Sequence, residues 1–103
     1  MKSPVDIKRE IYNRLKDYLS RDQTGIRRAL LNLFIKIKTW TIPQIFDALK
    51  VHFSITYHSL ASMIGIIASR LGILHVRRAS DGAITLYELK EQYIDIVVHL
   101  ISD

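Results

Sequence analysis

The sequence predicts a mostly α protein carrying one β-hairpin, and three stretches lead to that expectation. Thr41-Ile-Pro-Gln begins a helix with its own cap, Leu60, Ile64, Ile67 and Leu71 recur at helical spacing up to Gly72, and Asp81-Gly82 sits between two alternating apolar runs;. At the first, the Thr41 hydroxyl can accept from the Gln44 N–H while Gln44 reaches back to the Thr41 N–H, and Pro43 has no N–H to leave unpaired;. Trp40 before that cap and Ile45 after it suit a hydrophobic staple;.

The remaining elements follow from pattern. Residues 5–19 form an amphipathic helix, with Ile7, Ile11, Tyr12, Leu15, Tyr18 and Leu19 on one side and Pro4 at its start;. Its basic residues alternate with Asp6, Glu10 and Asp17, which reads as a solvated, salt-bridged face;. A helix over 25–38 places Ile26, Leu30, Leu33 and Ile37 inward, leaving Leu31 and Ile35 as a second apolar surface in need of cover;. Arg27, Arg28, Lys36 and Lys38 lie at its ends, where they suit phosphates or, for the lysines, the helix dipole;. Helices over 42–52 and 56–71 come next, the second capped by Ser54 or Thr56 and closed by Gly72;.

Residues 73–89 read as a hairpin about a two-residue turn at Asp81-Gly82;. That register sets Leu74 opposite Leu89 and Val76 opposite Tyr87 as core-sealing pairs, with His75, Arg77 and Glu88 on the other face;. Residues 90–102 read as a last helix, apolar over more than half its circumference, although its Ile and Val content also suits a strand;.

Helix, short turn, helix, hairpin is the order of a winged helix-turn-helix module, here with extra N- and C-terminal helices. The runs Trp40 to Ile45, Tyr57 to Ile64 and Arg70 to Leu74, with the hairpin ending Leu86-Tyr87-Glu88-Leu89, resemble a small archaeal family of unknown function with a winged-helix core. The resemblance runs from about residue 25 onward and implies a DNA-binding regulator, with no site residues attached to it.

Read from the residues, the helix over 56–71 would enter the major groove of double-stranded DNA, its small polar face His58, Ser62, Gly65 and Ser69 permitting close approach;. Tyr57, His58, Ser59 and Ser62 would face base edges, Ser54 and Thr56 would meet phosphates, and Arg77 and Arg78 would clamp the backbone from the wing;. A winged-helix protein-interaction module without DNA contact is the rival, favoured by a recognition helix whose one basic residue is Arg70;. A ligand pocket lined by Tyr12, Tyr18, Trp40 or Tyr93 is a third class, and such spacings serve cores more often than pockets;.

Composition bounds these readings. The 103 residues suit one domain, 49% of them apolar with a mean hydropathy of +0.11, and that apolar excess predicts a homodimer through the terminal helices;. Net charge is +5, but residues 1–38 hold ten Lys or Arg against four acids, +6, while residues 39–103 hold five against six, −1. Cysteine is absent, which removes disulfides, thiolate zinc sites and a cysteine nucleophile;. No long uncharged apolar run occurs, so a cytoplasmic protein without membrane contact is expected;. His52, His58, His75 and His99 lack ligand spacing, His75 instead facing Glu88 across the strands, and no nucleophile elbow, phosphate loop or carboxylate pair occurs;. Neither a catalytic residue, a metal nor a cofactor is expected.

Overall fold

The computed structural model describes residues 3–79 and 82–102. Helix α1 (Pro4–Ser20) starts from a capping box at Ser3, whose Oγ accepts from the Asp6 N–H at 3.2 Å, and buries Ile11, Leu15, Tyr18 and Leu19;. Helix α2 (Ile26–Lys36) follows a left-handed Gly25 at φ +86° and borrows its cap from upstream. The Asp22 carboxylate accepts from the N–H groups of Gly25, Arg27 and Arg28 at 3.1, 3.2 and 3.1 Å, satisfying amides that a helix start leaves open;.

The inward face of α2 differs from the expected one. Leu30, Leu31 and Phe34 are buried, Leu33 is half-buried, and Ile37 is 55% exposed. Helix α2 packs against two later helices at once, so its buried arc widens to take in Leu31;. Ile37 leaves the helix altogether, in extended backbone at φ −131° and ψ 131°. It leads into a strand that the sequence reading missed, β1 (Thr39–Trp40), where two residues are too few to show alternation;. The Trp40 indole N–H donates to the carbonyls of Leu33 and Ile37 at 2.9 and 3.0 Å, so Trp40 ties strand to helix.

Helix α3 (Ile42–Leu49) has the expected box: Gln44 N–H donates to Thr41 Oγ1 at 3.3 Å and Thr41 N–H to Gln44 Oε1 at 3.0 Å;. It stops short of residue 52 because the chain closes a turn, with the N–H groups of His52 and Phe53 both on the Leu49 carbonyl. Helix α4 (Tyr57–Ile66) is capped by Thr56 and continues through a wide π turn, Ile67–Leu71, closed by the Gly72 N–H on the Ile67 carbonyl at 3.1 Å;. Leu60, Ile64, Ile67 and Leu71 are all buried, and Gly72 ends the helix at φ +68° as its position predicts;.

Strands β2 (Leu74–Arg78) and β3 (Thr85–Leu89) pair in the expected register, Leu74 with Leu89, His75 with Glu88 and Val76 with Tyr87. With β1 they form an antiparallel sheet ordered β1-β3-β2. Leu74 and Leu89 seal the root of the hairpin; at the next pair Tyr87 still packs against the core, but Val76 is 51% exposed. At the tip, the Ala79 N–H donates to the Ile84 carbonyl and Gly82 sits at φ +74°. Asp81, the other half of the expected turn, lies outside the described residues.

A single 3-10 turn (Glu91–Tyr93) precedes α5 (Ile94–Ile101), a helix rather than a strand and shorter than the expected span of 90–102. Tyr93, Val97 and Leu100 face the core, where α5 meets α1 and α2. The Arg28 guanidinium closes this junction, donating to the carbonyls of Ile101 at 2.6 Å and Leu100 at 3.4 Å;. The fold is thus mostly helical with a hairpin wing, a winged helix-turn-helix with a helix added at each end. Because Leu31 is enclosed while Ile37 is not, Leu31→Ala should cost about 3 kcal/mol of stability and Ile37→Ala under about 1 kcal/mol, read from urea unfolding;.

Candidate nucleic-acid interface

Helix α4 turns one face into the core and the other to solvent. His58, Ser62, Gly65 and Ser69 are all exposed, and a Cβ added at Gly65 would meet nothing within 4 Å. That glycine answers no packing need inside the chain. The Ser69 hydroxyl folds back to the Gly65 carbonyl at 2.7 Å, which keeps the outer profile of the helix low;.

The residues at the start of α4 are partly engaged. Thr56 Oγ1 accepts from the Ser59 N–H at 3.1 Å and donates to Ser59 Oγ at 3.0 Å, so both hydroxyls serve the cap before they can serve a ligand;. Ser54 lies exposed in the preceding turn. Tyr57, 47% exposed, is steadied edge-on by Phe46, with ring centroids 5.7 Å apart;. His58 and Ser62 therefore share the open front of the helix, Tyr57 stands at its flank toward Phe46 and the wing, and Thr56 and Ser59 form its base;.

The wing arginines do not act together. Successive strand residues face opposite sides of a sheet, so Arg77 and Arg78 diverge;. Arg78, opposite Thr85, lies on the side that Thr85 and Tyr87 share with Tyr57 of α4. Its guanidinium donates to the Gly82 carbonyl at 3.0 Å. Arg77 lies with His75 on the reverse side. There Glu88 takes Lys38 as its ion partner at 3.3 Å, and the pairing with His75 is one of register. The two arginines expected to clamp one backbone therefore stand on opposite sides of the wing;.

Between wing and helices runs a groove of about 350 Å³, lined by Ile42, Pro43, Tyr57, Ile84, Thr85 and Tyr87 among others, none of them charged. The N-terminal cations are largely structural. Arg27 donates to the Tyr18 carbonyl at 2.8 Å and stacks 4.3 Å over the Tyr18 ring, while Arg28 holds the end of α5;. Among the described residues, no group of three or more His, Asp or Glu could hold a metal ion, and no helix is long and apolar enough to cross a membrane.

Residues 15–97 match the family described as Protein of unknown function (DUF2551). The chain belongs to that family. The DUF2551 match begins inside α1, upstream of the residue-25 limit of the sequence resemblance, and runs into α5. An uncharacterized protein of Archaeoglobus fulgidus is 36% identical over 95 residues, covering 91% of this chain and 95% of the relative. No solved structure matches the chain.

One buried group behind this interface is under electrostatic tension. The Tyr18 hydroxyl is enclosed without a hydrogen-bond partner among the described residues, and burial raises its pKa above the ordinary 10.0, with Arg27 opposing the shift and Asp22 adding to it;. A raised folded-state pKa means that the unfolded chain ionises first, so stability falls as pH rises above 10.0 and through the folded value;. Tyr18→Phe should be neutral to about 1 kcal/mol stabilising at neutral pH, and its advantage should widen above pH 10.0; urea unfolding at both pH values reads this, and an unchanged alkaline slope would contradict it;.

Proposed function

We propose that this chain is a cytoplasmic, double-stranded DNA-binding transcriptional regulator that works as a homodimer. The observation that carries the reading is the exposed, uncharged outer face of α4, in which Gly65 is free of internal duty. A low face of this kind lets backbone and base edges approach closely in a major groove. Tyr57, His58 and Ser62 are the residues for base edges, Ser54 and the cap hydroxyls of Thr56 and Ser59 for nearby phosphates, and Arg78 for the backbone beside the wing. Exposed apolar side chains on both terminal helices, Val5 at 66% and Ile7 at 40% on α1, Ile94 at 37% and Val98 at 39% on α5, support association of two copies there;.

A second reading has its own support. The front also exposes Val51 at 72%, Ile84 at 48% and Val76 at 51%, and its groove is neutral, which suits a protein partner better than a polyanion;. Fluorescence anisotropy with a random duplex at low and moderate salt separates the two readings. A DNA-binding front should give salt-sensitive micromolar affinity, and Arg78→Ala should lower the salt slope by about one while Arg77→Ala leaves it unchanged. Absence of salt-sensitive binding would favour the interaction module. Sedimentation equilibrium should return a dimer mass at micromolar concentration, and a monomer at high micromolar concentration would remove the dimer from the proposal.

A further inference from the structure

Three of the ten N-terminal basic residues meet Arg70 at one place in the fold. Arg14 of α1, Arg21 just past its end, Arg27 of α2 and Arg70 of the π turn line a cleft of about 400 Å³, with Ile66 and Leu71 supplying an apolar wall. Asp17 is the one carboxylate in the lining, and it is taken up by Arg21 at 3.5 Å. The Glu10 carboxylate reaches Arg14 only at 3.9 Å. Such exposed pairs along a helix cancel little of the local field.

Two of the four cations are held in place and one is free. Arg27 is fixed by its bond to the Tyr18 carbonyl and its stacking on the Tyr18 ring, leaving other N–H donors of its guanidinium unused;. Arg14 donates to the Arg70 carbonyl at 3.5 Å, a bond that also meets the negative end of α4;. The Arg70 guanidinium makes no hydrogen bond or ion pair among the described residues, so no acid among them answers it. The wide turn sets this free arginine beside a helix that reaches α1, the contact that closes the cleft. Tyr18 beneath stays neutral because its burial resists ionisation, so it adds no negative charge.

We infer that this cleft binds a phosphate group. Four arginines line the cleft against Asp17 in the lining and Glu10 and Asp22 beside it, a balance that still leaves a positive charge at Arg70, and the planar fork of arginine matches phosphate oxygens in pairs;. The phosphate could come from a small phosphorylated ligand or from a nucleic-acid backbone, and the chemistry of recognition is the same. The cleft is built from α1, α2 and the far end of α4, without any residue of the wing, so the inference is independent of the DNA reading.

The test is a titration of the full chain with inorganic phosphate at constant ionic strength, following the arginine Nε–H resonances by NMR. Saturable shifts at Arg27 and Arg70 are expected, and Arg70→Gln should weaken the affinity about tenfold, with Arg70→Glu weaker still. Arg70 carries no internal bond from its side chain, so neither variant should lower the unfolding midpoint, and Arg70→Glu should raise it slightly by answering the neighbouring arginines;. Absence of saturable shifts, or equal affinity in Arg70→Gln, would overturn the site. A short random duplex added in competition identifies the source: displacement of phosphate from these arginines assigns the site to a nucleic-acid backbone, and no displacement assigns it to a small ligand, either result upholding a phosphate site. Arg78→Ala should leave the phosphate titration unchanged, which keeps failure of the wing reading apart from failure of this one.

Discussion

Leu60, Ile64, Ile67 and Leu71, all turned into one shared core, are the constraint on which the rest of the molecule depends. Apolar burial is non-directional, but a stripe at helical spacing gives it direction: once these four side chains are inside, the opposite face of the same helix must be outside. The exposure of His58, Ser62, Gly65 and Ser69 is therefore a consequence of packing on the other side. Helix α3 packs on α4, α2 on α3, and α1 meets the π turn at the end of α4, so each neighbour orients that outer face. Gly72 then reverses the chain into β2, and Lys90 secures the reversal by donating to the Gly72 carbonyl at 3.0 Å.

Formal charge is a poor guide to where this protein can meet an anion. Of the cations that make the chain basic, Arg27, Arg28, Lys38, Arg78 and Lys90 all bond to groups of the chain itself. They act as struts between elements, and much of their pairing with backbone carbonyls offsets the open ends of helices. What remains outward is uneven. The front beside α4 and the wing is neutral and partly apolar, whereas the cleft between α1, α2 and the π turn collects arginines from three elements. A uniform basic coat would have suggested indiscriminate polyanion binding; a neutral front and a basic flank divide the surface into two chemistries.

The terminal helices illustrate how apolar surface is settled between chain and partner. Leu31, by its place on α2, called for cover from outside, yet it is enclosed within the single chain, where α2 packs against α3 and α5. The large apolar side chains left exposed on the terminal helices are Val5 and Ile7 of α1 and Ile94 and Val98 of α5. Burial inside one chain carries no cost of association, so it takes the most apolar positions first.

Local order was legible in the residues. The capping box at Thr41, the stripe ending at Gly72, the cap at Thr56 and the hairpin register all rest on interactions between near neighbours in sequence, where spacing alone fixes geometry;. What only the tertiary structure decided depends on contacts between segments far apart. It enclosed Leu31 and exposed Ile37, completed the sheet with Thr39 and Trp40, and gave Glu88 to Lys38. The opposed directions of Arg77 and Arg78 follow from strand parity, and the apolar pairs Leu74–Leu89 and Val76–Tyr87 already mark which side of the hairpin turns toward the core;. Arg14, Arg21, Arg27 and Arg70 share no motif or period, and they become neighbours because α1 folds back against the end of α4. Periodicity specifies which side of an element is apolar; which partner covers that side, and which charges are thereby gathered, is settled by packing.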